Sequence, residues 1–193
     1  MPRLRRRALP IATVELARFL IGKRLVHATR SGRIAGRIVE TEAYPPGDPT
    51  GYARPGLTTS NAPLFAVRGV GYVRMVYGTC LTLNISAEEA GVGAAVLIRA
   101  LEPTAGIDLM QRNRPASRLV DLARGPGRVC AAFGIGRALS GEDLCLSDRL
   151  WLESSRGGAA SVIQVSTRIG LSRDQHRRLR FVERGSPFVS VPP

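Results

Sequence analysis

The chain has few of the residue types that build metal centres, disulfide frameworks or membrane segments. Its 193 residues include three cysteines without a CxxC spacing, and His27 and His176 are the only histidines. The sequence therefore predicts no metal site and no disulfide framework, which suits a reducing cytoplasm. No apolar run reaches the length of a signal peptide or of a transmembrane helix, so we also expect no membrane association.

Lysine is nearly absent as well, with Lys23 alone, although the chain is strongly basic. Its 28 Lys+Arg residues against 15 Asp+Glu residues give a net charge of +13, carried almost entirely by arginine. A charge of this sign indicates a polyanionic partner, with nucleic acid favoured over an acidic membrane surface. Residues 1–10 hold four arginines between two prolines and predict a mobile basic arm, followed by one compact domain over residues 11–193.

Two acids stand at the end of the most strand-like run in the chain, GRIVETEAY at residues 36–44. Alternation of side chains along a strand places Glu40, Glu42 and Tyr44 on the same face. A loop with five prolines follows at residues 45–63, and strand ends beside loops are common places for sites. This face is therefore a candidate for chemistry, and the alternative interpretation is the solvated face of a β-ribbon.

Two further patterns support a site near these acids. A buried strand predicted over residues 93–103 contains Arg99, and a buried arginine needs a carboxylate partner. All four tyrosines lie between residues 44 and 77. Such a cluster can stack on nucleic-acid bases, although strand aromatics are as often part of a core.

Periodicity and turn residues predict a mixture of short helices and strands. A helix is expected from Thr13, as its N-cap, to Gly22, where it stops. The pattern also predicts helices over residues 104–112, 116–124 and 125–133, and strands over residues 24–29, 33–44, 71–78, 80–86, 93–103, 150–153 and 162–168. The first two of these strands are joined by a short turn and form a hairpin.

Short motifs follow one another along most of the chain. They are ETEAY at 40–44, DP at 48–49, Asn61, Phe65, Gly69, YV at 72–73, YG at 77–78, NI at 84–85, LIRALEP at 97–103, GPG at 125–127, TRIG at 167–170 and RGSPFVS at 184–190. In this order and spacing they resemble the alkyladenine (3-methyladenine, methylpurine) DNA glycosylases over residues 13–191. No single motif is specific, whereas the combination is.

The resemblance implies an α+β fold, a single mixed domain in which short helices surround a curved antiparallel β-sheet and a protruding hairpin intercalates into DNA. It implies a monofunctional glycosylase of base-excision repair that acts on double-stranded DNA as a monomer, without cofactor or metal. Such an enzyme flips a damaged purine, whether alkylated, deaminated or an etheno adduct, and hydrolyses its N-glycosidic bond to leave an abasic site. We expect it in the cytoplasm, associated with the nucleoid in a prokaryote.

The resemblance also implies roles for individual residues. Glu42 is the general base that activates a water to attack C1′ of the flipped nucleoside. Arg99 orients that water and the carboxylate, and the backbone carbonyl of Ile169 is a further acceptor. Tyr77 matches the wedge that fills the gap left in the duplex.

The base pocket implied by the resemblance is altered in this chain. Tyr44 matches the aromatic residue that stacks on the flipped base, and Asn84 matches the asparagine that excludes the 2-amino group of guanine. Tyr52, Arg74 and Ser60 stand where the family has a histidine, a tyrosine and an arginine. Arg74 would repel a cationic purine unless it points away or is paired, so we predict that neutral lesions such as hypoxanthine or ethenoadenine are handled relatively better.

Three alternatives use other chemistry or none. The altered pocket suits a lesion-binding module with weak or no hydrolysis. The arginine-rich ends suit a basic RNA-associated protein in which Glu40 and Glu42 are solvated. The same two carboxylates suit a metal-dependent hydrolysis of phosphodiesters.

Overall fold

The protein is a single α+β domain built on a curved antiparallel sheet, as the motifs predict. The computed structural model describes residues 1–154 and 161–192, so residues 155–160 and Pro193 of the predicted 11–193 domain lie outside it. Its helices are α1 (Thr13–Leu20), α2 (Ile107–Asn113) and α3 (Pro126–Phe133). Its strands are β1 (Arg24–Thr29), β2 (Gly32–Tyr44), β3 (Gly71–Val76), β4 (Cys80–Ser86), β5 (Ala95–Ala105), β6 (Leu150–Glu153), β7 (Ile163–Ser166) and β8 (Arg180–Glu183).

The central strand is β2, which has partners along both of its edges. The strand order is β3-β4-β5-β2-β1-β6, and β8 pairs with both β2 and β7. β1 pairs with the first half of β2 in the predicted hairpin, while β8 pairs with the three residues from Glu40 to Glu42. β5 runs along the other edge, with register shifts on either side of Glu40 that bend the strand. Backbone pairing on both edges therefore holds the segment that carries the two acids.

The main core lies where the helices pack against this sheet. α1 packs on β2 through Leu16, Ala17 and Leu20, which are fully buried. α3 packs on β4 and β5 and buries Phe133. A Cβ atom at Gly36 would lie 2.7 Å from the Phe133 ring and 3.0 Å from the carbonyl oxygen of Glu102 in β5, so the packing of that ring against β2 needs a glycine there.

Neighbouring residues set the ends of α3, whereas a distant side chain caps the start of α1. α3 begins at Pro126 and stops before Gly134, whose left-handed backbone ends the helix as glycines commonly do. The N-cap position of α1 is Ala12 instead of the predicted Thr13. The backbone N–H of Thr13 donates to the Glu88 carboxylate at 2.8 Å, so a distant side chain caps this helix.

The helix predicted over residues 116–124 is wrong, because only a 3-10 turn forms there, at Leu119–Asp121. The amide side chain of Gln111 donates to the carbonyl of Ala116 and accepts from its N–H, which removes both groups from helical bonding. β5 extends to Ala105, so the helix predicted over residues 104–112 starts later, at Ile107, as α2. Among the residues that the structure describes, no helix is long and apolar enough to cross a bilayer.

Residues 1–10 pack against the domain, which differs from the mobile arm that their composition predicts. Leu4 and Leu9 are buried in the main core, and the N–H of Leu4 donates to a carbonyl of β6 at 2.9 Å. Arg6 forms an ion pair with Asp143. The arginines of this segment are interspersed with leucines, and burial of those leucines ties the segment down.

Candidate active site

Glu42 is fully buried near the end of β2, and three donors surround its carboxylate. Its Oε1 atom lies 3.2 Å from Arg99 Nη1 and accepts from the Ile169 N–H at 2.8 Å. Its Oε2 atom accepts from the Tyr44 hydroxyl at 2.9 Å. The fold thus brings four of the predicted site residues together. Ile169 reaches Glu42 through its N–H, and the role expected for its carbonyl stays a prediction.

Glu40 is also fully buried, so the alternative of two solvated acids is wrong. It accepts from Arg99 Nε and from Arg180 Nη1, each at 3.1 Å. Its remaining partners are the hydroxyl of Ser190, at 2.8 Å, and the N–H of the same residue. Glu40 therefore holds Arg99 in the orientation that reaches Glu42, and it ties the C-terminal segment to β2.

Burial raises the pKa of Glu42 above the ordinary range of a glutamate, and the nearby Glu40 carboxylate adds to the rise. Arg99, the N–H of Ile169 and the hydroxyl of Tyr44 act in the opposite direction, because they stabilise the charged form. Burial is the strongest of these effects. Glu42 therefore titrates closer to neutral pH than a surface glutamate, which suits a group that accepts a proton.

Tyr44 is held from behind by an ion pair that the sequence did not reveal. The guanidinium carbon of Arg168 lies 4.7 Å from the centre of the Tyr44 ring, and its Nη1 atom lies 2.7 Å from Asp48. Arg177 also contacts Asp48, at 3.0 Å. Burial alone would raise the pKa of Asp48, but hydrogen bonds from Thr50 and Arg168 hold that pKa below its usual range. An ionised Asp48 thus keeps Arg168 stacked on the ring.

A cavity of about 280 Å³ opens in front of this cluster. Its walls include Tyr44, Tyr52, Tyr77, Arg99 and Ile169. Three of these residues are the ones that hold the Glu42 carboxylate. The cavity is therefore the place where a substrate atom would come nearest to the buried acid, and we refer to it as the Glu42 pocket.

Asn84 lies beside the Glu42 pocket without forming its wall. It is almost fully buried in β4, where it pairs with Tyr72 on one side and with Leu97 on the other. Leu97 lines the pocket. The Nδ2 atom of Asn84 has no hydrogen-bond partner within the described residues, so it is a buried donor close to the pocket floor.

Tyr77 projects from the tip of the β3–β4 hairpin. Its side chain is 83% exposed, although tyrosine is a residue that proteins usually bury at least in part. Tyr77 has a left-handed backbone with φ of 53°, and Gly78 follows with φ of 68°. A left-handed tyrosine costs about 1 kcal/mol or more. The hairpin therefore presents an aromatic ring to solvent in a conformation that folding alone does not favour.

Two of the three residues that depart from the family pattern, Tyr52 and Arg74, contact each other. The guanidinium carbon of Arg74 lies 4.6 Å from the centre of the Tyr52 ring. Arg74 Nη1 also donates to the hydroxyl of Tyr72 at 3.1 Å, and the Tyr52 and Tyr72 rings meet edge to face. Tyr52 lines the Glu42 pocket, whereas Arg74 stands on the outer side of that ring. Its charge therefore acts on the pocket through Tyr52.

The alternative of metal-dependent hydrolysis does not fit the donor set. Within residues 1–154 and 161–192, no three His, Cys, Asp or Glu side chains form a group that could hold a metal ion. Arg99 bridges Glu40 and Glu42, so a guanidinium stands between the two carboxylates. A cation shared by the same two acids would meet that charge at close range.

Sequence reasoning missed the supporting residues of the site. Asp48 and Arg168 stood inside recognised motifs but received no role, and Arg180 was seen only as part of a basic segment. Each is buried and pairs with an acid or a base that is more than 100 positions away. Such pairings leave no periodic pattern in the sequence.

Comparison with known proteins places this geometry in a family. The model of a family described as methylpurine-DNA glycosylase matches residues 8–187. A protein of Paraburkholderia phytofirmans named "Putative 3-methyladenine DNA glycosylase" is 53% identical over 184 residues, which are 95% of this chain and 86% of that protein. Proteins with the same name from Mesorhizobium japonicum and Methanocella arvoryzae are 51% and 43% identical, over 99% and 98% of this chain and 91% and 96% of their own lengths.

Proposed function

This chain belongs to the methylpurine-DNA glycosylase family and is a monofunctional DNA glycosylase, and on that premise we propose that it flips a damaged purine out of double-stranded DNA and hydrolyses its N-glycosidic bond with a water activated by Glu42. The observation that carries the proposal is the buried Glu42 carboxylate, held by three donors directly behind a pocket. A base inside a duplex cannot reach such a pocket, so the nucleotide must leave the stack.

In the proposed reaction, Glu42 takes a proton from a water that attacks C1′ of the flipped nucleotide. The bond between C1′ and the base nitrogen breaks, and the base leaves with the bonding electrons. The sugar passes through an oxocarbenium-like state, whose positive charge the ionised carboxylate stabilises. Arg99 and the N–H of Ile169 support this role, because both donors hold Glu42 in its charged form and in one orientation.

We assign the walls of the Glu42 pocket to recognition of the base. Tyr44 would stack on one face of the base, and Arg168 behind its ring supports that role by fixing its position. Asn84 would exclude guanine by crowding its 2-amino group. The buried Nδ2 donor of Asn84 supports this assignment, because it has no partner within the described residues and the 2-amino group of guanine, also a donor, would find no acceptor at that atom.

Tyr77 would fill the gap that the flipped nucleotide leaves in the duplex. Its exposure at the hairpin tip supports this role, because an inserted aromatic ring compensates for the lost stacking. The net charge of +13 supports attachment of the hairpin face to the phosphates of double-stranded DNA.

We propose further that neutral lesions such as hypoxanthine and ethenoadenine are favoured over cationic purines. The stacking of Arg74 on Tyr52 supports this preference, because that ring already interacts with one cation through its π-system. A second cation on the other face of the same ring would gain less and would also be repelled. A neutral base meets neither penalty.

The direct test is single-turnover release of base from a duplex carrying one hypoxanthine, with EDTA present. The parent protein should release the base, and Glu42→Gln should slow release by about a hundredfold or more while still binding the duplex. Glu89→Gln, which neutralises an exposed carboxylate that does not line the pocket, is the control and should match the parent. Failure of the parent on hypoxanthine, ethenoadenine and 3-methyladenine would instead indicate a lesion-binding protein without hydrolysis.

A further inference from the structure

A second, larger concavity of about 660 Å³ adjoins the Glu42 pocket. Three arginines from different parts of the chain line it: Arg54 from the loop after β2, Arg74 from β3 and Arg173 from the loop after β7. We refer to it as the arginine groove. Thr50, Tyr52, Gly170 and Leu171 line both cavities, so the groove and the Glu42 pocket share one wall.

The charge of the arginine groove is not balanced by its own walls. None of its lining residues is an aspartate or a glutamate. Arg54, Arg74 and Arg173 form no ion pair within the described part of the chain. The guanidinium of Arg74 lies against Tyr52 and Tyr72, which are uncharged. The acids nearest in sequence are Asp174, which follows Arg173, and Asp48, which precedes Arg54. Asp174 lies 3.7 Å from Arg177, and the buried Asp48 is bound by Arg168 and Arg177. The groove therefore presents positive charge that needs an anionic partner.

The loop that carries Arg54 is held in place by an internal anchor. The amide group of Asn61 donates to the carbonyls of Tyr52 and Gly56, at 3.0 and 2.9 Å, and accepts from the N–H of Thr58 at 2.7 Å. Asn61 is itself buried. A loop fixed in this way does not have to be ordered when a ligand binds, which lowers the entropy cost of binding.

We propose that the arginine groove binds the phosphates of the lesion-carrying strand next to the flipped nucleotide. This inference rests on the proposed function, because a base in the Glu42 pocket brings its own sugar and flanking phosphates to the pocket mouth. Guanidinium groups match phosphate oxygens in geometry and charge, and hydroxyls such as those of Thr58 and Ser60 at the groove wall add donors. Arg74 then serves both sites, because it contacts the groove and the Tyr52 ring together.

Salt dependence of binding tests the proposal directly. Duplex with one hypoxanthine is titrated against Glu42→Gln protein, which prevents turnover, at several salt concentrations between about 0.05 and 0.3 M. Arg54→Gln and Arg173→Gln, each added to that protein, should lower affinity by about five- to tenfold near 0.1 M salt and reduce the slope of log K against log salt by about 1. Arg30→Gln is the control, since Arg30 is equally exposed but lies at the opposite end of β2 from Glu42. Equal slopes in all four proteins would overturn the proposal.

Neutral methylphosphonate linkages in the DNA identify the phosphates concerned. Replacing the two phosphates that flank the lesion with methylphosphonates should weaken binding to the Glu42→Gln protein. The same replacement should have little effect on binding when Arg54 and Arg173 of that protein are both replaced by glutamine. The same replacement on the complementary strand should weaken DNA binding by both proteins equally. Equal losses in both proteins from the lesion strand would refute the groove assignment and leave the proposed function untouched. A Glu42→Gln protein that does not prefer the lesion duplex to an undamaged one would count against the proposed function itself.

Discussion

At the scale of single residues, Glu42 balances deep burial against three hydrogen-bond donors, and this balance sets its affinity for a proton. Burial is the stronger effect and raises the pKa of the carboxyl. A carboxyl with a raised pKa is protonated at a pH where a surface glutamate is still charged. Only the ionised form can accept a proton from water.

The rate of base release should therefore fall as pH falls through the raised pKa of Glu42, with a midpoint above about 4.3, the ordinary glutamate value. Tyr44→Phe keeps the stacking ring and removes the hydroxyl that donates to Oε2. Because that hydroxyl stabilises the charged carboxylate, its loss should move the acid limb of the pH–rate profile to higher pH. The measurement is a single-turnover rate on hypoxanthine across pH for both proteins, and a limb that moves to lower pH or stays in place would contradict the assignment.

Arg74 is the residue with which we connect lesion preference. Replacing it with tyrosine removes the cation from the Tyr52 ring and adds an aromatic surface, so Arg74→Tyr should lower the ratio of hypoxanthine release to release of the cationic 3-methyladenine. A cation–π contact of about 0.5–2 kcal/mol corresponds to a change in this ratio of roughly 2- to 30-fold. Arg74→Gln separates the two effects, because it removes the charge without adding a ring. An unchanged ratio in both variants would remove Arg74 from the account of specificity.

At the scale of secondary-structure elements, one part of the β3–β4 hairpin stabilises the fold and another part is available for binding. Its tip is exposed and left-handed at Tyr77, so the tyrosine contributes little to the folded state. The residues of β4 from Thr82 to Ser86, in contrast, are buried in the sheet. The same hairpin thus anchors one end in the core and offers the other to a partner.

Tyr77→Ala should accordingly leave the free energy of unfolding nearly unchanged and weaken binding to lesion duplex. Loss of one aromatic–base stack is worth about 1–3 kcal/mol, or roughly 5- to 150-fold in affinity. Anisotropy titrations in the Glu42→Gln background measure this effect. Tyr77→Phe should bind like the parent, and so should Leu146→Ala, which truncates another exposed side chain. Normal affinity of the alanine variant at Tyr77 would exclude the wedge role.

At the scale of the whole molecule, the N-terminal segment is part of the packed domain and not only a carrier of charge. Leu4 and Leu9 belong to the same core as the helices and the sheet. Arg3 adds to this docking, since its guanidinium lies 5.1 Å from the centre of the Trp151 ring in β6. Deleting residues 1–10 would therefore change stability and charge together, so single substitutions are the cleaner probe.

Leu9→Ala should lower the free energy of unfolding by about 2–4 kcal/mol, because it removes buried methyl groups and leaves a cavity. Leu57→Ala, at a leucine that is 66% exposed, should change it by less than about 0.5 kcal/mol. Urea unfolding of both variants and the parent gives the comparison. A Leu9→Ala protein as stable as the parent would mean that the segment contributes no packing energy.

The sequence by itself determined the features that depend on residues close together in the chain, such as strand faces, the hairpin and helix ends. Alternation along β2 correctly placed Glu40, Glu42 and Tyr44 on one face, because the period of a strand follows from its backbone geometry. The β1–β2 hairpin and the ends of α3 were predicted for similar local reasons. The α+β class was predicted from the order of the motifs, through their resemblance to the glycosylase family. The excess of arginine indicated a polyanionic partner before any contact was known.

Tertiary structure alone decided which distant groups meet. The N–H that reaches Glu42 comes from a residue 127 positions away, and the acid that caps α1 lies 75 positions from Thr13. Arg74 stacks on Tyr52 because a loop and a strand approach each other, and no spacing in the chain encodes that contact. Burial and pairing depend on how segments pack together in three dimensions, whereas periodicity depends only on the backbone. For that reason the sequence predicted the candidate acids but not the support that Asp48, Arg168 and Arg180 give to the site.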